Sequence, residues 1–314
     1  MRAPALLPLL ALTLSLQSCA AYPRLTRPPL DPPPGAQWLT ADDGAPLYTS
    51  THLPEGEPQG VLFLVLGPEI TAAPPSPAFL TALHDAGFAT MLLHPRGTGY
   101  SPGLRGDLED YDSLLADQRR GLDHLRDRFP GKPIFLLGHS VGGALALHLS
   151  ANARGPLAGV LLVNPAYKLL SAEGMTPSFS DYLVFAGNAL FRPSALTVDM
   201  NSRPSAVAHA GDRAEGEAMQ ADPLVVRYFS LRFLWAQKRV MDRCAKNAAA
   251  TDAPVLLVQG ARDALIDPRG SDELLAATKS ADKTKLVSPE GGHGSSAVET
   301  MVEPILHWLQ AHLR

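Results

Sequence analysis

FLLGHSVGGALA, residues 135–146, sets the reading of this chain. The apolar run Phe135-Leu136-Leu137 ends at Gly138, and a second apolar stretch opens at Val141. A short apolar run bounded by glycine reads as a buried strand, and the stretch after it as a helix. Between them stands Ser140, ringed by Gly138, Gly142 and Gly143. A chain that only had to turn could use Asn-Gly or Pro-Asp. Gly138-His139-Ser140-Val141-Gly142 fits G-x-S-x-G in the strand–turn–helix setting that this motif requires. There, small residues on either side avoid clashes and the turn lifts the hydroxyl clear of the sheet. The helix N-terminus points at a developing oxyanion. Ser140 is therefore read as a nucleophile and the Val141 N–H as one oxyanion donor.

Outward from this stretch, strands and helices alternate. Residues 61–66 (VLFLVL), 88–93, 158–165 (AGVLLVNP), 254–260 (PVLLVQG) and 284–289 (TKLVSP) read as strands. Residues 109–129 read as a helix with Leu114, Leu115, Leu122 and Leu125 on one face, and 297–313 as a closing helix. Residues 37–54 read as two strands around Asp42-Asp43-Gly44. This order predicts an α/β fold: a mostly parallel sheet with helices on both faces. Between Asn164 and Ala253 no clear strand is legible, and aromatic residues recur from Tyr167 to Trp235. That region reads as a helical cap insertion, 165–253, between core segments 37–164 and 254–314.

A nucleophilic serine needs a base, and the base needs a carboxylate to orient it. His293 lies in PEGGHGSS, after the last strand and before the closing helix. Asp263 follows the preceding strand, three residues after Gly260. Asp267 is its rival, but Asp267-Pro268 suits a helix cap. Loops at the carboxyl ends of parallel strands converge, so Ser140, Asp263 and His293 can meet. His139 points away from its neighbour and is expected to pack under the turn. His84, His124, His148 and His307 sit in predicted helices and read as structural.

These segments resemble the α/β-hydrolase superfamily, and within it the monoacylglycerol lipase and lysophospholipase group, also described as serine aminopeptidase-like hydrolases. The likeness covers roughly residues 37–314. HPRGTGYSPG (94–103) resembles that group's D-x-R-G-H-G-x-S-x-G loop, GARDALID its acid loop, and ADPLVVRYFSLRFL a part of its lid. The resemblance implies the α/β-hydrolase fold, with Ser140 as nucleophile, Asp263 as acid and His293 as base. It also implies a carboxylesterase acting on a lipid or small ester. Three positions depart from the pattern: His94 replaces an aspartate, Thr98 replaces a histidine, and Leu66-Gly67-Pro68 replaces a His-Gly segment. Pro68 has no N–H. That leaves the Glu69 N–H as the second oxyanion donor through a shifted loop, or a weaker hole.

The first residues read as a leader. Arg2 precedes an apolar run too short to span a bilayer comfortably, and it leads into Leu16-Gln17-Ser18-Cys19. This resembles a bacterial lipobox, implying a signal peptide over 1–18, lipidation of Cys19 and a membrane-anchored lipoprotein of the cell envelope. Ala20 and Ala21 follow instead of an inner-membrane retention aspartate, so the outer membrane is expected. Six prolines in 22–36 make residues 19–36 a Pro-rich tether.

A formal net charge of −4 and the lack of a basic run argue against nucleic acid as a partner. No His/Cys or H-E-x-x-H spacing points to a metal, and no G-x-G-x-x-G opens the first helix. No cofactor is expected. Two other functions stay open from sequence. One is a peptidase releasing N-terminal residues, for which Glu215, Glu217 or Asp222 could hold the free amine. The other is a non-catalytic lipoprotein that kept the fold.

Overall fold

The computed structural model describes residues 22–67, 76–108, 111–170, 186–188, 190–199 and 210–313. Eight strands form one sheet. In chain order they are β1 (Gln37–Thr40), β2 (Pro46–His52), β3 (Gly60–Val65), β4 (Phe88–Leu93), β5 (Ile134–His139), β6 (Gly159–Val163), β9 (Val255–Gly260) and β10 (Lys283–Ser288). They lie side by side as β1-β2-β4-β3-β5-β6-β9-β10. From β4 to β10 every pair is parallel, while β1 and β2 form an antiparallel flap at one edge. The other edge strand, β10, carries Lys283 and Lys285, charges that discourage further pairing.

Alternation along the central strands divides the core in two. Val61, Phe63, Val65 and Leu136 face a cluster with Leu122 and Leu125 of α2 (Tyr111–Arg128) and Leu145 of α3 (Val141–Ala151). Leu62, Leu64, Phe135 and Leu137 face Leu83 of α1 (Pro77–Asp85) and Ile305 and Trp308 of α9 (Val302–Ala311). Both faces are covered, which is why these strands read as continuous apolar runs rather than alternating ones.

The cap region contains structure that the sequence reading missed. β7 (Leu196–Asp199) and β8 (Tyr228–Ser230) pair antiparallel with an irregularity between Leu196 and Val198. Four- and three-residue strands, far apart in sequence, leave too short a pattern to detect. Around them stand α4 (Ala210–Ala221), α5 (Leu231–Asp242) and α6 (Cys244–Ala248). Of the aromatics, Phe229 and Phe233 are buried with ring centroids 4.7 Å apart, whereas Phe191 and Trp235 are exposed. Phe179, Tyr182 and Phe185 lie outside the described residues. The closing helix is two pieces, α8 (Ser296–Glu299) and α9, with α7 (Pro268–Ala277) preceding β10.

The tether also differs from a free stalk. Tyr22 stacks on Tyr228 at 3.7 Å and its N–H donates to Leu196 O at 2.9 Å. The N–H groups of Gly103 and Arg105 donate to Thr26 O and Leu25 O. Residues 22–26 therefore lie along the cap ribbon and the 103–107 loop. Proline supplies no N–H, but the non-proline residues here offer carbonyls and an aromatic ring that the body uses.

Candidate active site

Ser140 sits between β5 and α3 with φ 52° and ψ −121°, a left-handed conformation that a side chain adopts only under constraint. The constraint is visible in the backbone. Ser140 N–H donates to Val163 O at 3.0 Å, and Ser140 O accepts from Gly143 N–H at 3.0 Å and Ala166 N–H at 2.9 Å. The glycines permit the packing. A Cβ on Gly138 would press on Gly142 and Gly143, and one on Gly142 would run into the Val65 carbonyl. The elbow thus lies hard against β3 and its own helix.

The carboxyl ends of β5, β9 and β10 bring Ser140, Asp263 and His293 together. His293 Nδ1 is 2.9 Å from Asp263 Oδ2, and His293 Nε2 is 3.1 Å from Ser140 Oγ. The carboxylate fixes the tautomer: Nδ1–H donates to Asp263, which leaves Nε2 to accept from the serine hydroxyl. Asp263 Oδ1 accepts the N–H groups of Leu265 and Ile266 at 2.8 and 2.9 Å. Burial pushes its carboxyl up, but the hydrogen bond and charge of His293 and those two N–H groups outweigh burial and hold it below the ordinary aspartate value. Asp267 caps α7, accepting from Arg269 N–H at 2.9 Å.

Val141 opens α3 directly after Ser140, where helix N–H groups have no intrahelical partner. Gly67 lies against Val141, so the chain just past β3 is beside the elbow. Glu69 itself is outside the described residues, as is Cys19.

Sequence reasoning missed two positioning residues. Asn164, one residue past β6, is fully buried with φ 42°. Its Nδ2 donates to Gly292 O at 3.0 Å and His293 O at 2.9 Å, and its Oδ1 accepts from Gly260 N–H at 2.8 Å. One amide thereby ties the strand end before Asp263 to the loop that carries His293. His139 does not merely pack under the turn. Its Nε2–H donates to His293 O at 2.6 Å, and the two imidazole centroids are 4.9 Å apart. The Asn164 side chain reaches loops about a hundred or more residues away in sequence, so no local pattern announces it. Of the three cap acids, Glu215 comes to the site: Ser295 N–H donates to its Oε2 at 2.8 Å. Asp222 instead accepts from Leu224 N–H within its own turn.

His94 and Thr98, the departures in the 94–103 loop, serve that loop. His94 Nδ1 accepts the Tyr100 N–H at 2.9 Å, and Thr98 Oγ1 donates to Pro95 O at 2.7 Å.

Comparison with known proteins accords with this geometry. The family described as "Serine aminopeptidase, S33" matches residues 56–298. The chain belongs to this α/β-hydrolase family. It is 31% identical over 194 residues to the monoglyceride lipase of Homo sapiens, covering 60% of each protein. It is 27% identical over 232 residues to the monoacylglycerol lipase of Mycolicibacterium smegmatis, covering 73% of this chain and 80% of that one. The crystal structure of the Paleococcus ferrophilus monoacylglycerol lipase superposes with a TM-score of 0.68 at 25% identity, over 85% of this chain and 99% of that one. The chain is an enzyme of the serine hydrolase, carboxylesterase type.

Proposed function

We propose that the chain hydrolyses carboxylic esters of lipid type, monoacylglycerols or lysophospholipids, through Ser140, His293, Asp263 and an acyl-enzyme. The observation that carries this reading is the continuous hydrogen-bonded chain from Ser140 Oγ through the His293 imidazole to Asp263. Relatives named as lipases of monoacylglycerols support the substrate class. In the forward step Ser140 Oγ attacks the ester carbonyl carbon while its proton passes to His293 Nε2. Asp263, held ionised, stabilises the imidazolium. The tetrahedral oxyanion is met by the Val141 N–H, with the Glu69 N–H as second donor. Collapse expels the alcohol, which takes its proton from His293. Water, deprotonated by the same nitrogen, then releases the acid and restores the serine.

The second reading, release of N-terminal residues from peptides, draws on the Glu215 carboxylate beside the His293 loop, which could hold a free amine. Assaying p-nitrophenyl butyrate beside a proline p-nitroanilide separates the two. The ester reading expects Ser140-dependent release from the first. Release from the anilide alone overturns it.

We further propose that Cys19 is lipidated and holds the enzyme at the bacterial envelope, in the outer membrane. Cys19→Ser is expected to move the protein from the membrane to the soluble fraction.

A further inference from the structure

Beside the triad lies a cavity of about 50 Å³ between α1, α8 and the ends of β3, β5 and β6. At about 10–15 Å³ per water-sized group it admits only a few atoms. Its walls are mainly apolar, with Leu64, Leu66, Phe79 and Val298 among them. His139, the neighbour of Ser140, forms one side, and Gly294 and Ser295, next to His293, form another. Among its described lining residues the single carboxylate is that of Glu215, on cap helix α4.

Glu215 is fixed there by accepting the Ser295 N–H, two residues from His293. That donor is neutral, so the bond orients the carboxylate without cancelling its charge. Glu215 shares this cavity with His139 and Ser295, the near neighbours of Ser140 and His293, so an ester half that enters it from Ser140 meets this charge. The apolar walls lower the local dielectric and lengthen the reach of the field. We propose, resting on the ester-hydrolase reading above, that Glu215 is a specificity-determining residue: its charge discriminates against esters that carry an anionic group near the scissile bond, so that of the two lipid types named there monoacylglycerols are favoured over lysophospholipids. A phosphate close to the ester brings roughly 1.5 to 2 negative charges at neutral pH. An uncharged polyol brings none.

The test uses the full chain and two water-soluble esters with the same acyl group, 1-butyrylglycerol and 1-butyrylglycerol 3-phosphate. Neither needs an interface, so partition into lipid plays no part. Glu215→Gln keeps an acceptor oxygen for Ser295 and removes only the charge. The expected result is a rise of about five- to tenfold in the ratio of kcat/KM, phosphate ester over neutral ester. Glu215→Ala, which also removes the acceptor, is expected to move the ratio the same way. An unchanged ratio in Glu215→Gln overturns the proposal. So does a shift confined to Glu215→Ala, which would assign the residue to holding the His293 loop. Failure of the unaltered protein to hydrolyse either ester overturns instead the ester reading, and this proposal falls with it.

Discussion

Asn164 ties the Asp263 and His293 loops through one amide, and its three hydrogen bonds define what its replacement should do. Asn164→Asp keeps the acceptor for Gly260 N–H but loses both donors and turns a negative charge toward two carbonyls. Misplacing the imidazole by about 1 Å is enough to cost about a hundredfold. Steady-state kinetics of Asn164→Asp should show kcat reduced about ten- to a hundredfold with KM changed less than about twofold. His94 carries a different prediction. It is 3% exposed, and burial, with the nearby Arg105 charge, pushes its pKa down to about 3. The folded protein thus keeps His94 neutral while the unfolded chain protonates it near 6.5. Its contribution is present above that value and is lost as pH falls from about 6.5 toward 3, on the order of 4–5 kcal/mol if the shift is expressed in full. The stability and midpoint from urea melts should fall with acid across this window, and His94→Asn should remove much of that pH dependence. The meeting of Ser140, Asp263 and His293 was legible because each follows a recognisable strand within a glycine-rich or acidic loop. Asn164, His139 and Glu215 act through backbone groups distant in sequence, which no spacing encodes.

At the scale of elements, the elbow depends on the approach of α3 to β3. Gly142→Ala would put a methyl against the Val65 carbonyl, with Leu66 C only 3.0 Å away. Backbone cannot move as a side-chain tip can, so overpacking here should destabilise the protein by about 1–3 kcal/mol and lower activity more than stability. Thermal denaturation alongside ester turnover checks both. The core strands were legible because they are buried on two faces and bounded by glycine or proline. The β7–β8 ribbon was not, because so few residues pair that period-two alternation has no room to appear. The break between α8 and α9 falls at Thr300-Met301, and Pro304 explains it: proline has no N–H for the Thr300 carbonyl four residues back, so one continuous helix cannot run through.

Across the whole molecule, Asp107 joins three regions. Its buried carboxylate accepts from Arg24 of the N-terminal segment at 2.7 Å, from Arg232 of α5 at 2.5 Å and from Ser230 of β8 at 2.6 Å. Burial pushes this carboxyl up, but the hydrogen bonds of Arg232 and Ser230 and the two guanidinium charges hold it below its ordinary value. Its support for the fold is thus present at neutral pH and is lost as pH falls below the ordinary carboxylate range. Asp107→Ala removes the buried acceptor shared by Arg24, Arg232 and Ser230, so it should cost about 1–3 kcal/mol in chemical denaturation. Arg24 is 44% exposed, so Arg24→Ala should cost about 1 kcal/mol or less. Equal losses for the two would contradict this picture. The α/β architecture was legible from the order of apolar runs. The docking of residues 22–26 was not, since proline content describes backbone stiffness and says nothing of what the intervening residues touch.

The central claim is that Ser140 is the nucleophile activated by His293, and an active-site phosphonylating probe tests it most directly. A fluorophosphonate should lose fluoride and form one phosphorus–oxygen bond, with the adduct mapped by mass spectrometry to Ser140. Labelling should vanish in Ser140→Ala and fall steeply in His293→Ala. A folded, unaltered protein that takes no label, or an adduct that survives Ser140→Ala, would contradict the account.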